Sequence, residues 1–298
     1  MPHAHPRHAR RALLAFALCT TLFACLPAAA QDAAHMQSRY ETLRDELGRS
    51  QFNRPLVLQS TQSANDLSGT VHAVIDRPFS VVGPALASAG HWCDLLMLHL
   101  NVKACVARRS DAGDRLATVL GRKVEQPSGE GYKVDFAYQV VATGADYLRV
   151  QMSADEGPLG TRDYRLMLEA SPVEGSRTFL HMSYAYGYGT VARLAMEGYL
   201  GTVGRGKVGF SITGKRADGS PIYVEGVRGV IERNTMRYYL AIEAYLGAPA
   251  REQLLRRLND WFDATERYAP QLHEVSREDY LAMKRHELER LQTATSVP

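Results

Sequence analysis

The chain has 298 residues, of which 45% are hydrophobic, 22% charged and 8% aromatic, a balance that excludes a disordered, collagen-like or multispanning protein and permits a sizeable buried core. Its formal charge of +3 is the excess of 35 basic over 32 acidic residues, and Arg7, Arg10 and Arg11 account for it. The remainder is neutral and carries no basic stripe, which argues against a nucleic-acid partner.

The chain opens with those basic residues, continues with the apolar run Ala12 to Leu26, and reaches Ala28-Ala29-Ala30 before Gln31. This is the charged, apolar, small-residue order of a secretory signal over residues 1–30. The apolar run is shorter than the roughly 20 residues a bilayer span needs. Cleavage after Ala30 and a periplasmic or secreted mature protein are expected. Leu22-Phe23-Ala24-Cys25 offers an alternative, because it resembles a bacterial lipoprotein cleavage box in which Cys25 would be lipidated, although the bulky Phe23 departs from that pattern. Once the signal is removed, Cys93 and Cys105 are the thiols that remain. In an oxidising compartment they are expected to form a structural disulfide, with roughly 3 kcal/mol of chain-entropy stabilisation for so short a loop. A redox pair is the other use, but the spacing is not Cys-x-x-Cys.

Along the mature chain, Met36, Tyr40, Leu43 and Leu47 predict an amphipathic helix over His35 to Leu47, which Gly48 can end. Pro55 to Gln59 and Leu67 to Ile75 read as strands. Pro78 then opens a helix carrying Val81, Val82, Ala85 and Leu86, and a second helix runs from about His91 through Leu98. Beyond Val102 the character changes to strands with one apolar face. Even positions are apolar in Tyr132 to Ala142, in Leu148 to Met152, in Tyr164 to Leu168 and in Leu180 to Tyr188. The same alternation in Met236, Tyr238, Leu240 and Ile242 predicts a last strand. One-sided alternation predicts an antiparallel sheet covered on a single face. The cover is expected to be a helix opened by Pro249, with Leu254, Leu258, Trp261, Thr265 and Tyr268 on one face and Pro270 at its end.

Between the fifth and last strands an insertion is expected. It comprises a helix over Val191 to Val203, a Gly-rich loop, a turn at Ala217-Asp218-Gly219-Ser220, and a helix around Val224, Val227 and Ile231. After Glu274 a charged helix begins at Ser276, with Asp279 completing a capping box. The expected organisation is a signal at 1–30, a ligand-binding domain at 31–270 and a charged helical extension at 271–298.

The predicted apolar faces are rich in tyrosine. Phe136, Tyr138, Tyr164, Tyr184, Tyr186, Tyr188 and Tyr238 share the even positions of their strands, and a buried tyrosine presents ring area with a hydroxyl that needs a partner. A ligand is one such partner and a backbone carbonyl another. Other patterns point less clearly to chemistry. Gly201 to Lys207 matches part of a phosphate-binding loop, but Val208 stands where a Ser or Thr would hold magnesium and the loop follows a helix, so a hinge is the better reading. His91, Asp94, His99 and Asn101 lack the spacing of a metal site and suit structural hydrogen bonds. Glu225, Arg228 and Glu232 have the spacing of an exposed ion-pair ladder, or with Arg233 and Arg237 could anchor a ligand's polar head. No nucleophile elbow marks a catalytic triad. No catalytic residue, metal or cofactor is assigned.

The order of strand, helix pair, antiparallel strands and long amphipathic helix resembles the helix-grip fold of the START and birch-pollen-allergen superfamily, which includes polyketide cyclase-like members. The residues that carry this are Val71-His72-Ala73-Val74-Ile75-Asp76-Arg77-Pro78-Phe79-Ser80-Val81-Val82, Leu86, Trp92 and the helix from Leu254 to Tyr268. The resemblance covers about residues 35–270, and the insertion at 190–234 departs from a minimal member. It implies an α+β fold in which a curved antiparallel sheet grips the long C-terminal helix around an apolar cavity. Trp261 on that helix then joins the aromatic set as a ligand contact. The expected function is non-enzymatic binding or transfer of a lipid, sterol-like or polycyclic molecule, with contact at a membrane surface as a further possibility. Two alternatives stay open. A buried charged pair facing the cavity would favour a cyclase-like enzyme, and a solid interior would favour an envelope interaction protein.

Overall fold

A computed structural model describes residue 1, residues 28–111, 113–202 and 204–296. The expected signal and Cys25 fall almost wholly in residues 2–27, outside those described. Helix α1 (Ala28–Gly48) is followed by strands β1 (Leu56–Gln62) and β2 (Asp66–Ile75), then by helices α2 (Phe79–Leu86) and α3 (Ala89–Leu96). Six strands come next: β3 (Val102–Ser110), β4 (Gly113–Leu120), β5 (Tyr132–Thr143), β6 (Leu148–Glu156), β7 (Arg162–Val173) and β8 (Arg177–Gly187). They form one antiparallel eight-stranded sheet in the order β1-β2-β8-β7-β6-β5-β4-β3. Because β2 pairs with β8, the helix pair α2–α3 carries the chain across the whole sheet to its far edge. Pro78 precedes α2 with φ −67°, and Trp92 fixes the helix pair by donating its indole N–H to the Leu86 carbonyl at 2.8 Å.

The chain then leaves the sheet for helix α4 (Thr190–Gly201), a small hairpin of β9 (Ile212–Lys215) and β10 (Pro221–Tyr223), and helix α5 (Gly226–Gly247). Here the expected last strand is corrected. Met236, Tyr238, Leu240 and Ile242 lie within α5, a single helix of 22 residues. Alternation misled because α5 is buried on nearly all sides, so apolar residues occupy both parities and any period fits. The gripped helix is also corrected. α5, not the helix after Pro249, lies on β1, β2 and β8. Gly69 of β2 permits the close approach, since a methyl at that position would collide with the Thr235 side chain of α5.

Helix α6 (Leu254–Glu266) has the apolar stripe expected of it, but it packs against the outer side of α5. Trp261 donates to the Arg237 carbonyl at 3.2 Å and stacks on Tyr280 at 5.1 Å between ring centroids. The short α7 (Ala269–Leu272) leads to α8 (Arg277–Ser296), which starts at the expected capping box, with the Asp279 N–H donating to Ser276 Oγ at 3.1 Å. α8 buries Tyr280, Met283, Lys284 and Glu287 against β3 and α6. The sheet is covered on both faces in part, because α1 packs Met36, Tyr40 and Leu47 on Val57, Val74, Tyr147 and Phe179 of its outer side. The architecture is an α+β helix-grip fold. Cys93 of α3 and Cys105 of β3 are joined by a disulfide. Among the described residues, no helix is long and apolar enough to cross a membrane.

Candidate functional site

The inner faces of β5, β7 and β8 meet α5 through aromatic rings. Tyr164 stacks on Tyr186 at 5.2 Å, Tyr186 lies 5.6 Å from Tyr184, and Tyr184 meets the Tyr238 ring edge-on at 5.1 Å. Phe136 closes the row edge-on to Tyr164 at 6.0 Å. Five of the eight expected ligand contacts therefore form one chain of rings, although Tyr238 reaches it from a helix. Tyr138 is buried at one end, with its hydroxyl 3.5 Å from the Leu86 carbonyl. Tyr188 sits at the rim beyond β8 and donates to the Ser63 carbonyl at 3.1 Å. Trp261 is corrected, since its ring lies among α5, α6 and α8, away from the row. Along the row the rings lie against one another at centroid distances of 5.1 to 6.0 Å. Clefts of about 700 Å³ beside Lys103 and Arg290 and about 870 Å³ beside Arg54 and Arg267 open elsewhere on the surface.

One helix roofs the row. α4 buries only Ala192 among its described side chains and leaves Val191 and Leu194 largely exposed. Its inward side rests Met196 on the Tyr186 hydroxyl and places Tyr199 over a polar cluster. The loop after it contains Gly204 and Gly206, the latter at φ +77°, where a side chain would strain the backbone. Lys207 of that loop donates to the His273 carbonyl, which agrees with a structural role rather than phosphate binding.

Arg233 and Arg237, which the sequence offered as an anchor for a polar head, lie in a polar cluster whose other members, Glu274 and Lys123, it did not mark. Arg237 of α5 donates to Glu274 at 2.7 Å and to the Leu272 carbonyl at 3.1 Å. Lys123, from the β4–β5 connection, donates to Glu274 at 2.6 Å and to the Tyr199 hydroxyl at 3.1 Å. Arg233, one turn before Arg237, donates to the Val208 carbonyl at 3.2 Å. His99 stacks on Tyr238 at 4.9 Å and so joins the cluster to the ring row. Burial and then the Arg237 charge push Lys123 down to about 7, and burial with Arg237 lowers Arg233 to about 10. For Glu274 burial acts upward, but Arg237 and Lys123 overcome it and hold the carboxyl below its usual range. Burial and neighbouring cations keep His99 neutral.

The expected exposed ladder on α5 is corrected at the same place. Glu232 is fully buried and accepts from the Phe210 and Ser211 N–H groups at 2.5 and 2.9 Å and from the Ser60 and Ser211 hydroxyls. His91 and Asn101 serve as structural groups, bonding to the carbonyls of Ala85 and Gly121. Among the described residues, no group of three or more His, Cys, Asp or Glu side chains is placed to hold a metal ion.

No protein-family model matches the sequence, and no curated protein matches it. Solved structures with some likeness include a START superfamily protein from Mycobacterium smegmatis (11% identity, 43% of this chain, 81% of that one, TM-score 0.31). Others are a truncated norcoclaurine synthase from Thalictrum flavum (15%, 48%, 91%, TM-score 0.32) and the protein Ara h 8.0201 (8%, 64%, 97%, TM-score 0.34). The fold assignment rests on the strand order and on the gripped helix α5, not on these likenesses.

Proposed function

We propose that the chain is an exported binding or transfer protein for an apolar small molecule, held along the tyrosine row between the sheet and α5 and admitted by movement of α4. The observation that carries this reading is the roof. A row of aromatic rings that spans the interior is closed at one side by a single helix with one buried side chain among those described, flanked by glycines. Apolar burial would supply most of the affinity and a few hydroxyls the orientation. Export is supported by the order of residues 1–30 and by the Cys93–Cys105 bridge, which suits an oxidising compartment. The exposed Val191 and Leu194 suit contact with a membrane surface during loading.

Against the solidly packed alternative stands the gathering of unpartnered buried nitrogens on Arg233, Arg237 and His99 beside the ring row, although Arg257, His72 and Arg149 carry such atoms elsewhere. A second reading, a cyclase-like enzyme on the same scaffold, is favoured by the buried Arg237–Glu274 pair and by Lys123, whose ammonium titrates near neutrality beside the rings. Titration with Nile red, a neutral dye whose emission rises in apolar surroundings, tests the first reading. Tyr186→Ala combined with Tyr238→Ala should weaken uptake, while Lys133→Ala on the exposed face should not. Failure of the wild type to take up any apolar probe would leave the packed interaction protein as the better reading. A ligand that is bound by Lys123→Gln but converted only by the wild type would establish the enzyme.

A further inference from the structure

We propose that the molecule bound along the tyrosine row carries an anionic group, a carboxylate or phosphate monoester, and that Arg233, Arg237 and His99 receive it; this rests on the reading of the interior as a ligand site. The three side chains are buried, with 1%, 0% and 2% of their surface exposed. Arg237 uses one terminal nitrogen on Leu272 and Glu274, while its Nε and Nη1 have no partner. Arg233 uses Nη1 on Val208 and leaves Nη2 without one. His99 accepts the Asn101 N–H on Nδ1 at 3.1 Å, so the neutral ring carries its proton on Nε2, which also has no partner. Every unpaired group is therefore a donor. Unpaired buried donors are costly, so what completes the site must bring acceptors.

Charge narrows the class further. Lys123, Lys207, Arg233 and Arg237 all act on Glu274, the carboxylate common to the four. Its oxygens are taken by Lys123, Arg237 and Tyr199. Glu232, the other carboxylate near Arg233, is spent on Phe210, Ser211 and Ser60. A neutral hydroxyl or ketone would satisfy at most two of the four unpaired donors and leave the mutual repulsion of the cations, and an amine would add to it. An anion with several lone pairs answers both needs.

The rings decide that this anion belongs to an amphiphile rather than to a free ion. Tyr238 stacks on His99 and meets Tyr184, so the donor cluster and the ring row share a wall. The Arg233 charge also reaches the Tyr186 phenol. A head at the arginines thus places an attached apolar body along Tyr184 and Tyr186. Tyr199 ties α4 to the same cluster through Lys123 and Glu274, so the head arrives where the roof is fastened.

The test compares two fluorescent probes that share one apolar body, cis-parinaric acid and its methyl ester, titrated into the mature protein at neutral pH. The acid should bind about tenfold more tightly or better, the worth of one charge-assisted hydrogen bond. Arg233→Gln should reduce that preference several-fold, while Arg233→Lys should retain much of it. Hexadecyl phosphate should displace the bound acid, and inorganic phosphate at equal concentration should not. Equal affinities of acid and ester for the wild type overturn the anionic head while the apolar site stands, and this comparison requires no variant to fold. Displacement by inorganic phosphate would make the cluster a free-anion site and overturn the amphiphile. Binding of neither probe overturns both this inference and the proposed function.

Discussion

Gly69→Ala tests whether α5 is the helix gripped by the sheet. An added methyl would collide with Thr235 Oγ1 and lie 3.0 Å from Thr235 Cβ and 3.4 Å from Ile231 Cγ1. Thr235 cannot simply turn aside, because its hydroxyl donates to the Ile231 carbonyl at 2.8 Å within α5. Replacing a strand glycine by alanine favours the folded state by roughly 0.5–1 kcal/mol through chain entropy, whereas overpacking costs about 1–3 kcal/mol. A net loss of about 1–2 kcal/mol is expected from urea unfolding followed by circular dichroism. Thr235→Ala alone removes one local hydrogen bond and should cost about 1 kcal/mol or less. In that background the oxygen collision is gone and only the 3.0 Å Cβ contact remains, so the added methyl should cost well under half of what it costs in the wild type. The two sites would then show a coupling of about 1 kcal/mol. A Gly69→Ala protein as stable as the wild type, or effects of the two changes that simply add, would refute the close approach and with it the position of α5.

Trp261→Ala should cost about 3–5 kcal/mol, because its fully buried ring joins α5 to α8, while the nearby Asn259→Ala should be mild; equal melting temperatures would mean that α6 does not brace α5. His72, stacked 4.6 Å from His181, is held down to about 3 by burial and then by the His181 and Arg39 charges. The unfolded chain takes up this proton below about pH 6.5 and the folded one does not, so stability should fall as pH drops from 6.5 towards 3. Glu169 adds its own loss only below pH 4.5, because burial raises its pKa but hydrogen bonds from His181 and Tyr147 bring it to about 2. His72→Phe should flatten the slope between pH 6.5 and 4.5, and an unchanged slope in pH-dependent urea unfolding would contradict the assignment. Lys123 acts with the same sign at higher pH. Its pKa falls from 10.5 to about 7 on folding, so between those values the unfolded state holds more protons and stability rises with pH. The wild type should gain on Lys123→Gln by up to about 1.4 kcal/mol per pH unit across that window, and parallel stability curves for the two proteins would count against it.

What the sequence revealed followed burial. β5 and β6 were legible because each has one face in the core and one more exposed, so parity and burial coincide, and β8 keeps the alternation only beyond Met182, since α1 covers the outer face of its first half. Met36, Tyr40 and Leu47 marked α1 for the same reason. α5 was illegible because it is enclosed by the sheet, α3, α4 and α6, so Tyr238 and Leu240 fitted a strand as readily as a helix. β3 and β4 were not resolved as separate strands because their shared end carries Arg108, Arg109 and Arg115 into solvent on both faces. The donor cluster was hidden differently. Arg233 and Arg237 have the i, i+4 spacing of a solvated helix face, and only the return of Glu274 and Lys123 from distant connections encloses them. A usable signal was the setting of those arginines among Met236, Tyr239 and Leu240 in an otherwise apolar run, which is unlike a solvated face.

The most direct test of the central claim is native mass spectrometry of the full 298-residue chain expressed in cells and purified without detergent. The account predicts a one-to-one adduct that organic solvent releases and that is recovered as a negatively charged amphiphile. A bare protein that also acquires no adduct from a total lipid extract of the same cells would contradict it.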